Sequence, residues 1–548
     1  MPDRSPADTP ADTAADTAAG PGDVTTLTVG AVETAQDRGV VDHPDPAGQP
    51  VGAAAATQAP DRTSARAGLT GVVANGATWS LVGKLGGQSI QFVAGLVLAR
   101  LLAPADYGAM ASVYVITGFA VLFFELGLGS ALIALRAPTE RDLSTVFWIN
   151  ALGGVAFTLV LAVSGPLVSL LFRDPRLTVL TPLSGLGFLF GVGAVHNALL
   201  QRQLKLKLVA LIDVVSIAVS FAVTVAGAVG GLGVYALVLG PAAAAIVSSA
   251  LSFALVPWRP HHFVSRASLP RIWQFSGGQL GFNVVNYWGR NGDNLLIARF
   301  VGQVPLGLYN KAYQLMLLPV QQVGQVLGGV MFPALSAMGG DHERVGRGYR
   351  RAVRLINLAT VPVLVGLAAV APGAVPLLWG DQWAGTVPLL MILCFAGIPQ
   401  CVSTSVGWLF QSQNRTGLMF RVGLVSFVGG IALMVAGVLV GGATGVAVAV
   451  LVRAWTFMPP TLHVACNLVG LRARTVLVDN SRVALLCVPM FAAAWFTPVL
   501  LHADRTAAWV TLVQVAVGVL VYGALASAFV RTELAELFRV LRRRRSAA

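Results

Sequence analysis

Charge is scarce in this chain. Asp, Glu, Lys and Arg supply only 11% of its 548 residues, while 55% are hydrophobic, and a soluble domain would carry about a quarter charged. Mean hydropathy is +0.73, more apolar surface than an interior of this size can hide, so most of the surface must face lipid. Cysteine is also sparse: Cys394, Cys401, Cys466 and Cys487 stand singly in apolar stretches. With no CxxC pair and no His at ligand spacing they read as small hydrophobes, and no metal is expected. The seven histidines are scattered, and neither HExxH nor GxSxG occurs. Gly83-Lys84 is not a phosphate loop, because Thr78 stands where the upstream glycine belongs and Leu85 follows the lysine. No DxD triad and no long outer connector is present, which argues against a glycosyltransferase or polymerase. The chain is read as a non-enzyme without cofactor.

What charge there is sits in short connectors. A formal net charge of +13 would suggest nucleic acid in a soluble protein, but here the Lys and Arg lie between apolar runs, and no nucleic-acid partner is expected. Residues 1–67 repeat Ala, Asp, Thr, Pro and Gly with almost no large apolar side chain, which predicts a disordered tail. The tail lacks the charged start and apolar stretch of a cleaved signal, so the first span is expected to target the chain. From Asn75 onward about fourteen apolar stretches of roughly 20 to 30 residues follow, each long enough to cross about 30 Å of hydrocarbon as a helix. They lie near 75–101, 108–135, 146–172, 177–200, 208–229, 232–257, 272–301, 308–336, 352–379, 384–410, 418–439, 443–470, 483–502 and 507–530. Every second connector is basic, from Arg136 and Arg141 through Arg202, Lys205 and Lys207 to Arg542–Arg545, with Arg173, Arg176 and Arg505 as exceptions. The positive-inside rule then places both termini in the cytoplasm.

The chain also contains a repeat. ARLLAPADYGAMASVY, from Ala99, aligns with ARFVGQVPLGLYNKAY, from Ala298, with Arg100 over Arg299, Gly108 over Gly307 and Tyr114 over Tyr313 at one offset of 199. Gln201, Gln203 and Lys205 likewise align with Gln411, Gln413 and Arg415. Two six-helix lobes, 68–270 and 271–471, with two more helices in 472–530 and a basic tail over 531–548, account for both matches. An even number of spans per repeat makes the lobes parallel, related by an axis along the membrane normal, with a substrate site between them near the midplane.

The first helix of each repeat carries a polar stripe. Ser80, Lys84, Gln88 and Gln91 share one face by their three- and four-residue spacing, as do Asn283, Asn286, Arg290 and Asp293 in the seventh span. A charge at the bilayer centre costs about 2.5 to 3.5 kcal/mol and needs a partner or an aqueous cavity. Lys84, Glu125, Arg290 and Asp293 are the deepest such groups. Arg290 and Asp293 could neutralise each other structurally, and Glu125 could pair with Lys84 or act as a coupling group. Arg100 and Arg299 close their helices at the outer interface, where snorkelling and substrate contact are both open. Arg453, inside the twelfth span, is left unassigned.

ELGLGSALIALRAPTERDLSTVFWIN from Glu125, RNGDNLLIARFVGQVPLGLYNKAYQLMLLP from Arg290, FPALS from Phe332 and WGDQW from Trp379 resemble the polysaccharide exporters of the MOP superfamily. The resemblance runs from about residue 70 to about 530 and is greatest for the colanic acid, amylovoran and teichuronic acid exporter branch (Wzx-like). It implies an all-α, MATE-like polytopic fold, two six-helix lobes around a central cavity. It implies as substrate an undecaprenyl-pyrophosphate-linked saccharide flipped by alternating access, with membrane lipid, a polysaccharide polymerase and glycosyltransferases as partners. The cationic substrate role then falls on Lys84 and Arg290, with Gln88, Gln91, Asn283, Asn286, Arg100 and Arg299 around them and Asp293 and Glu125 as acidic partners. Ala298 stands where the family often has glycine. Two alternatives remain: an organic-cation antiporter of the same superfamily, which would want an acidic cavity, and a membrane polymerase or glycosyltransferase.

Overall fold

The computed structural model describes residues 79, 83–84, 86–124, 132, 139–265, 284, 286–338, 340–531 and 533–535. Among them there is no strand, as expected where hydrocarbon leaves the backbone no partner but itself. The chain is an all-α polytopic membrane protein.

The helices, in order, are α1 (86–101), α2 (Pro104–Phe124), α3 (Glu140–Phe172), α4 (Leu177–Ser184), α5 (Leu186–Phe190), α6 (Ala194–Arg202), α7 (Leu206–Val229) and α8 (Ala236–Leu255). Then follow α9 (286–300), α10 (Gln303–Ala337), α11 (His342–Trp379), α12 (Thr386–Ser412), α13 (Thr416–Asn467), α14 (Ala473–Leu500) and α15 (Ala508–Phe529). Ten described helices are long and apolar enough to cross a membrane, and the pair made of Leu177–Phe190 and Ala194–Arg202, bent by 41°, would add an eleventh. α1 and α9 occupy the expected first and seventh spans, whose earlier residues lie outside those described.

Local chemistry sets the helix ends. α2 opens on Pro104, whose fixed φ and missing N–H suit a first helical residue, and the Asp106 carboxylate turns back to accept from the Ala103 amide at 3.2 Å. α3 starts in a capping box: Thr139 accepts from the Asp142 amide while the Asp142 carboxylate accepts from the Thr139 amide at 3.0 Å. α13 is two antiparallel arms. Its helical geometry fails at Gly441 and at Gly442, whose φ of 56° only glycine adopts cheaply. Past the turn the arms pack so closely that a Cβ on Gly445 would lie 1.9 Å from the Gly437 carbonyl oxygen. The short connector VLVGGATG thus separates the two spans expected on either side of it.

The repeats also pack alike. Gly83, just before α1, and Gly87 of α1 lie against Ala210 and Ile217 of α7, and α9 lays Gly289 and Gly292 against Phe427 and Ile431 of α13. The two halves meet where α2 crosses α10. A Cβ on Gly108 would lie 1.8 Å from the Gln303 carbonyl oxygen, and one on Gly307 would lie 1.9 Å from that of Pro104. Gln303 aligns with Pro104 at the same offset that aligns the glycines, so each contact is the pseudo-symmetric image of the other. Met110, Val113, Leu306, Tyr309 and Trp383 belong to one buried core that spans the crossing.

Candidate functional site

Beside this crossing two helix ends cap each other. The last carbonyls of any helix lack intrahelical donors and carry partial negative charge. The Arg100 guanidinium donates to Leu378 O through Nε at 3.1 Å and to Leu377 O through Nη2 at 2.5 Å, closing α11. In return Trp383 Nε1 donates to Ala99 O at 2.8 Å and Gln382 Nε2 to the same oxygen at 3.0 Å, closing α1. Ser112 Oγ donates to Gln303 Oε1 at 2.9 Å across the same seam. Arg299, the repeat mate of Arg100, makes no such cap among the described residues; its guanidinium lies 5.9 Å from the Phe300 ring.

Lys311 fills the space behind these caps and is only 8% exposed. Its Nζ lies 4.0 Å from the centre of the Tyr107 ring, 5.7 Å from Trp379 and 5.9 Å from Trp383. The rings brace one another, Tyr107 to Trp383 at 5.3 Å and Trp379 to Trp383 at 5.8 Å, both edge-on. No carboxylate lies within 4.0 Å of Lys311 among the described residues, so the faces of three rings hold the ammonium. The sequence reading passed over this group. Its signal was a lysine without an acid in its own apolar span, the same signal that singled out Lys84.

Deeper along α9, Asp293 is 3% exposed. Its carboxylate accepts from Tyr309 Oη at 2.7 Å and from the Asn294 amide at 2.8 Å. Arg453 attracts it electrostatically while donating to Gly289 O at 3.2 Å, which gives that arginine a place between the second arm of α13 and α9. No ion pair joins Asp293 to Arg290 among the described residues. Tyr287 Oη donates to Val115 O at 2.8 Å and Tyr114 O at 3.0 Å, bringing α9 against α2 across the repeats.

Arg290 and Asn286 are exposed on α9; Lys84, Gln88 and Gln91 are exposed on the first helix. The α9 pair thus sits on the helix that brings Asp293, Tyr287 and Arg453 together, while the other three ride the helix that ends at Arg100. Asn283 and Glu125 lie outside the described residues, and the Lys84–Glu125 pairing with them. Among the described residues no group of three His, Cys, Asp or Glu could hold a metal, and all four cysteines are free and buried.

The described helices, with similar contacts made at one offset and a crossing at one end, define a polytopic helical membrane protein. The family model described as polysaccharide biosynthesis protein matches residues 97–388, and the chain belongs to that family. It is 26% identical over 363 residues to the teichuronic acid biosynthesis protein TuaB of Bacillus subtilis (strain 168), covering 64% of this chain and 74% of that protein. It is 25% identical over 375 residues to the lipopolysaccharide biosynthesis protein WzxC of Escherichia coli (strain K12), with 68% and 76% covered. The succinoglycan biosynthesis transport protein ExoT of Rhizobium meliloti (strain 1021) is 28% identical, with 60% and 67% covered. Among solved structures the fold is similar to the lipid II flippase MurJ in an inward closed conformation, with TM-score 0.66, 16% identity, and 83% of this chain and 99% of that one covered. A multidrug resistance MATE transporter of the MOP superfamily, inward-facing, gives TM-score 0.51, 15% identity, and 73% and 95% covered. The resemblance to MOP-superfamily polysaccharide exporters stands on these relatives.

Proposed function

We propose that this chain flips an undecaprenyl-pyrophosphate-linked oligosaccharide across the bacterial cytoplasmic membrane for cell-surface polysaccharide export. Two lobes, 68–270 and 271–471, would alternate access around a cationic cavity, with 472–530 outside them and both termini in the cytoplasm. The end carrying Arg100 and Lys311 then faces outward. Lys84, Gln88, Gln91, Asn283, Asn286 and Arg290 would meet the head group, Arg100 and Arg299 its path at the outer end. Glycosyltransferases and a polymerase would work on either side of the step.

Arg290 carries this reading. Asp293 already accepts from Tyr309, and no carboxylate reaches Arg290 among the described residues. An arginine so placed in an apolar span calls for an anionic partner or water. A pyrophosphate offers paired oxygens that match the guanidinium fork. An organic-cation antiporter would instead need an acid open to its cavity, and Asp293 is shut away behind Tyr309. Outward movement of a net negative head group is assisted by about 2.3 kcal/mol per charge per 100 mV when the cytoplasm is negative.

The test is export of glycan, with membrane abundance measured beside it. Arg290→Ala and Lys84→Ala should each leave normal amounts of folded protein and reduce export at least tenfold. Arg290→Ala combined with Asp293→Ala should stay inactive, because the substrate still lacks its donor. Restored export in that double variant would reduce Arg290 to a charge partner of Asp293 and sink the anion site.

A further inference from the structure

A second site lies away from the crossing of the repeats, where α14 and α15 meet α11 of the second repeat at the end that bears the basic connectors. A cavity of about 410 Å³ opens there, edged by Arg354, Asp479, Arg482 and Glu533. Asp479, with its side chain 6% exposed, takes Nη2 of Arg350 at 3.0 Å and Nη2 of Arg354 at 2.8 Å. Arg354 Nη1 reaches Glu533 at 2.9 Å. These bonds staple α11 to α14 and to the segment that follows α15, and leave two arginines matched by two acids. Arg482, nearly one turn beyond Asp479, is exposed and has no carboxylate within 4.0 Å among the described residues. With Arg350 counted beside the rim, three guanidiniums face two carboxylates, and Arg482 is the one the staple does not use.

Below the rim the wall is apolar, with Val483, Leu486 and Phe529. It runs out onto bundle surface where Leu485 is 66% and Phe529 73% exposed, surface that apolar spans present to acyl chains. A soluble anion would have no use for that wall, and a hydrocarbon tail none for the arginine. One molecule class has both ends, and basic pockets between helices at the cytoplasmic side are suited to it. We propose that this cavity binds an anionic glycerophospholipid, its phosphate on Arg482 and the start of an acyl chain along Val483, Leu486 and Phe529. The volume, within the roughly 300–1,000 Å³ of small-molecule sites, suits a head group with the first carbons of a chain. The lipid would be a resident of α11, α14 and α15, not cargo, and would bind whether or not the transported molecule is a lipid-linked saccharide.

The experiment uses the full chain in phosphatidylcholine nanodiscs with graded phosphatidylglycerol, reading retained phospholipid by native mass spectrometry. The wild type should hold phosphatidylglycerol in preference to phosphatidylcholine. Arg482→Ala, which leaves the Asp479 staple untouched, should weaken that retention at least fivefold, and Arg482→Lys should recover most of it. Leu486→Trp, which fills the cavity and removes no charge, should weaken it comparably; unchanged circular dichroism would show that both variants are folded. Equal retention by wild type and Arg482→Ala would overturn the proposal. So would competition by acyl-free glycerol phosphate as effective as that by the lipid, which would make the site one for soluble anions. Displacement by undecaprenyl phosphate at equal concentration would assign the cavity to the cargo and overturn it as well.

Discussion

Lys311 shows how a lone charge survives in an apolar span. Its insertion costs about 2.5 to 3.5 kcal/mol at the bilayer centre and less toward an interface, while a desolvated cation over an aromatic face gains about 2 kcal/mol or more. Three rings at 4.0, 5.7 and 5.9 Å are therefore comparable in size to the cost. The ring that approaches it most closely, Tyr107, belongs to the other repeat, so the bond couples the halves. Lys311→Met keeps the aliphatic stem and removes the charge; Tyr107→Leu removes the ring. Each should lower the thermal midpoint of the purified protein, and the double variant should lower it little further, because both remove the same interaction. Lys311→Arg keeps the charge but adds bulk to a filled cage, so it should lose stability too, by less than Lys311→Met. Fully additive losses would dissolve the coupling. The cage could not be read in advance: Tyr107 and the two tryptophans lie on either side of Lys311, far off in sequence, and WGDQW carried only a family likeness. The lysine itself was legible by the argument applied to Lys84.

Among elements, the α2–α10 crossing ties sequence to architecture most directly. The alignment of Gly108 over Gly307 was visible in the repeat, because an internal duplication leaves matched residues at one offset. Their purpose was not visible, since a glycine in an apolar span can serve close packing, a bend or nothing. The reciprocal approach to Gln303 O and Pro104 O assigns it. Gly108→Ala and Gly307→Ala should each push the helices apart and destabilise the protein by about 1 to 3 kcal/mol, as overpacking does. Gly329, in the same α10, faces open space, and alanine there should stabilise slightly through helix propensity, by at most about 1 kcal/mol. Thermal midpoints of the three variants in one detergent check the sign. A Gly329→Ala loss as large as that at Gly108 would show that any added methyl is harmful and that the crossing is not special. The spans themselves were legible, because lipid enforces helix and length; even the arms of α13 were separable at VLVGGATG. Ser80 and Asn283, which precede α1 and α9, lie outside the described residues.

At the scale of the whole molecule, the contacts at this end form one seam. Arg100, Gln382 and Trp383 exchange caps between α1 and α11, Ser112 meets Gln303, and Lys311 meets Tyr107, each bond joining one repeat to the other. If the repeats alternate access, the seam must part once per cycle, and its bonds set part of the energy difference between the two states. Cross-linking it should then stop transport without unfolding anything. Gly108, one turn before Ser112, packs against the Gln303 backbone, and Ser112 Oγ meets Gln303 Oε1 at 2.9 Å, so Ser112→Cys with Gln303→Cys places the two thiols on touching backbones. The native cysteines are buried and should contribute little background. Mild oxidation of cells carrying this double variant should abolish glycan export, dithiothreitol should restore it, and either single variant should be indifferent to oxidant. Export at the uncross-linked rate from fully cross-linked protein would mean that this end never opens. The cycle would then have to run by some path other than between the repeats, and Arg100, Lys311 and the two glycines would be fixed structure in every state.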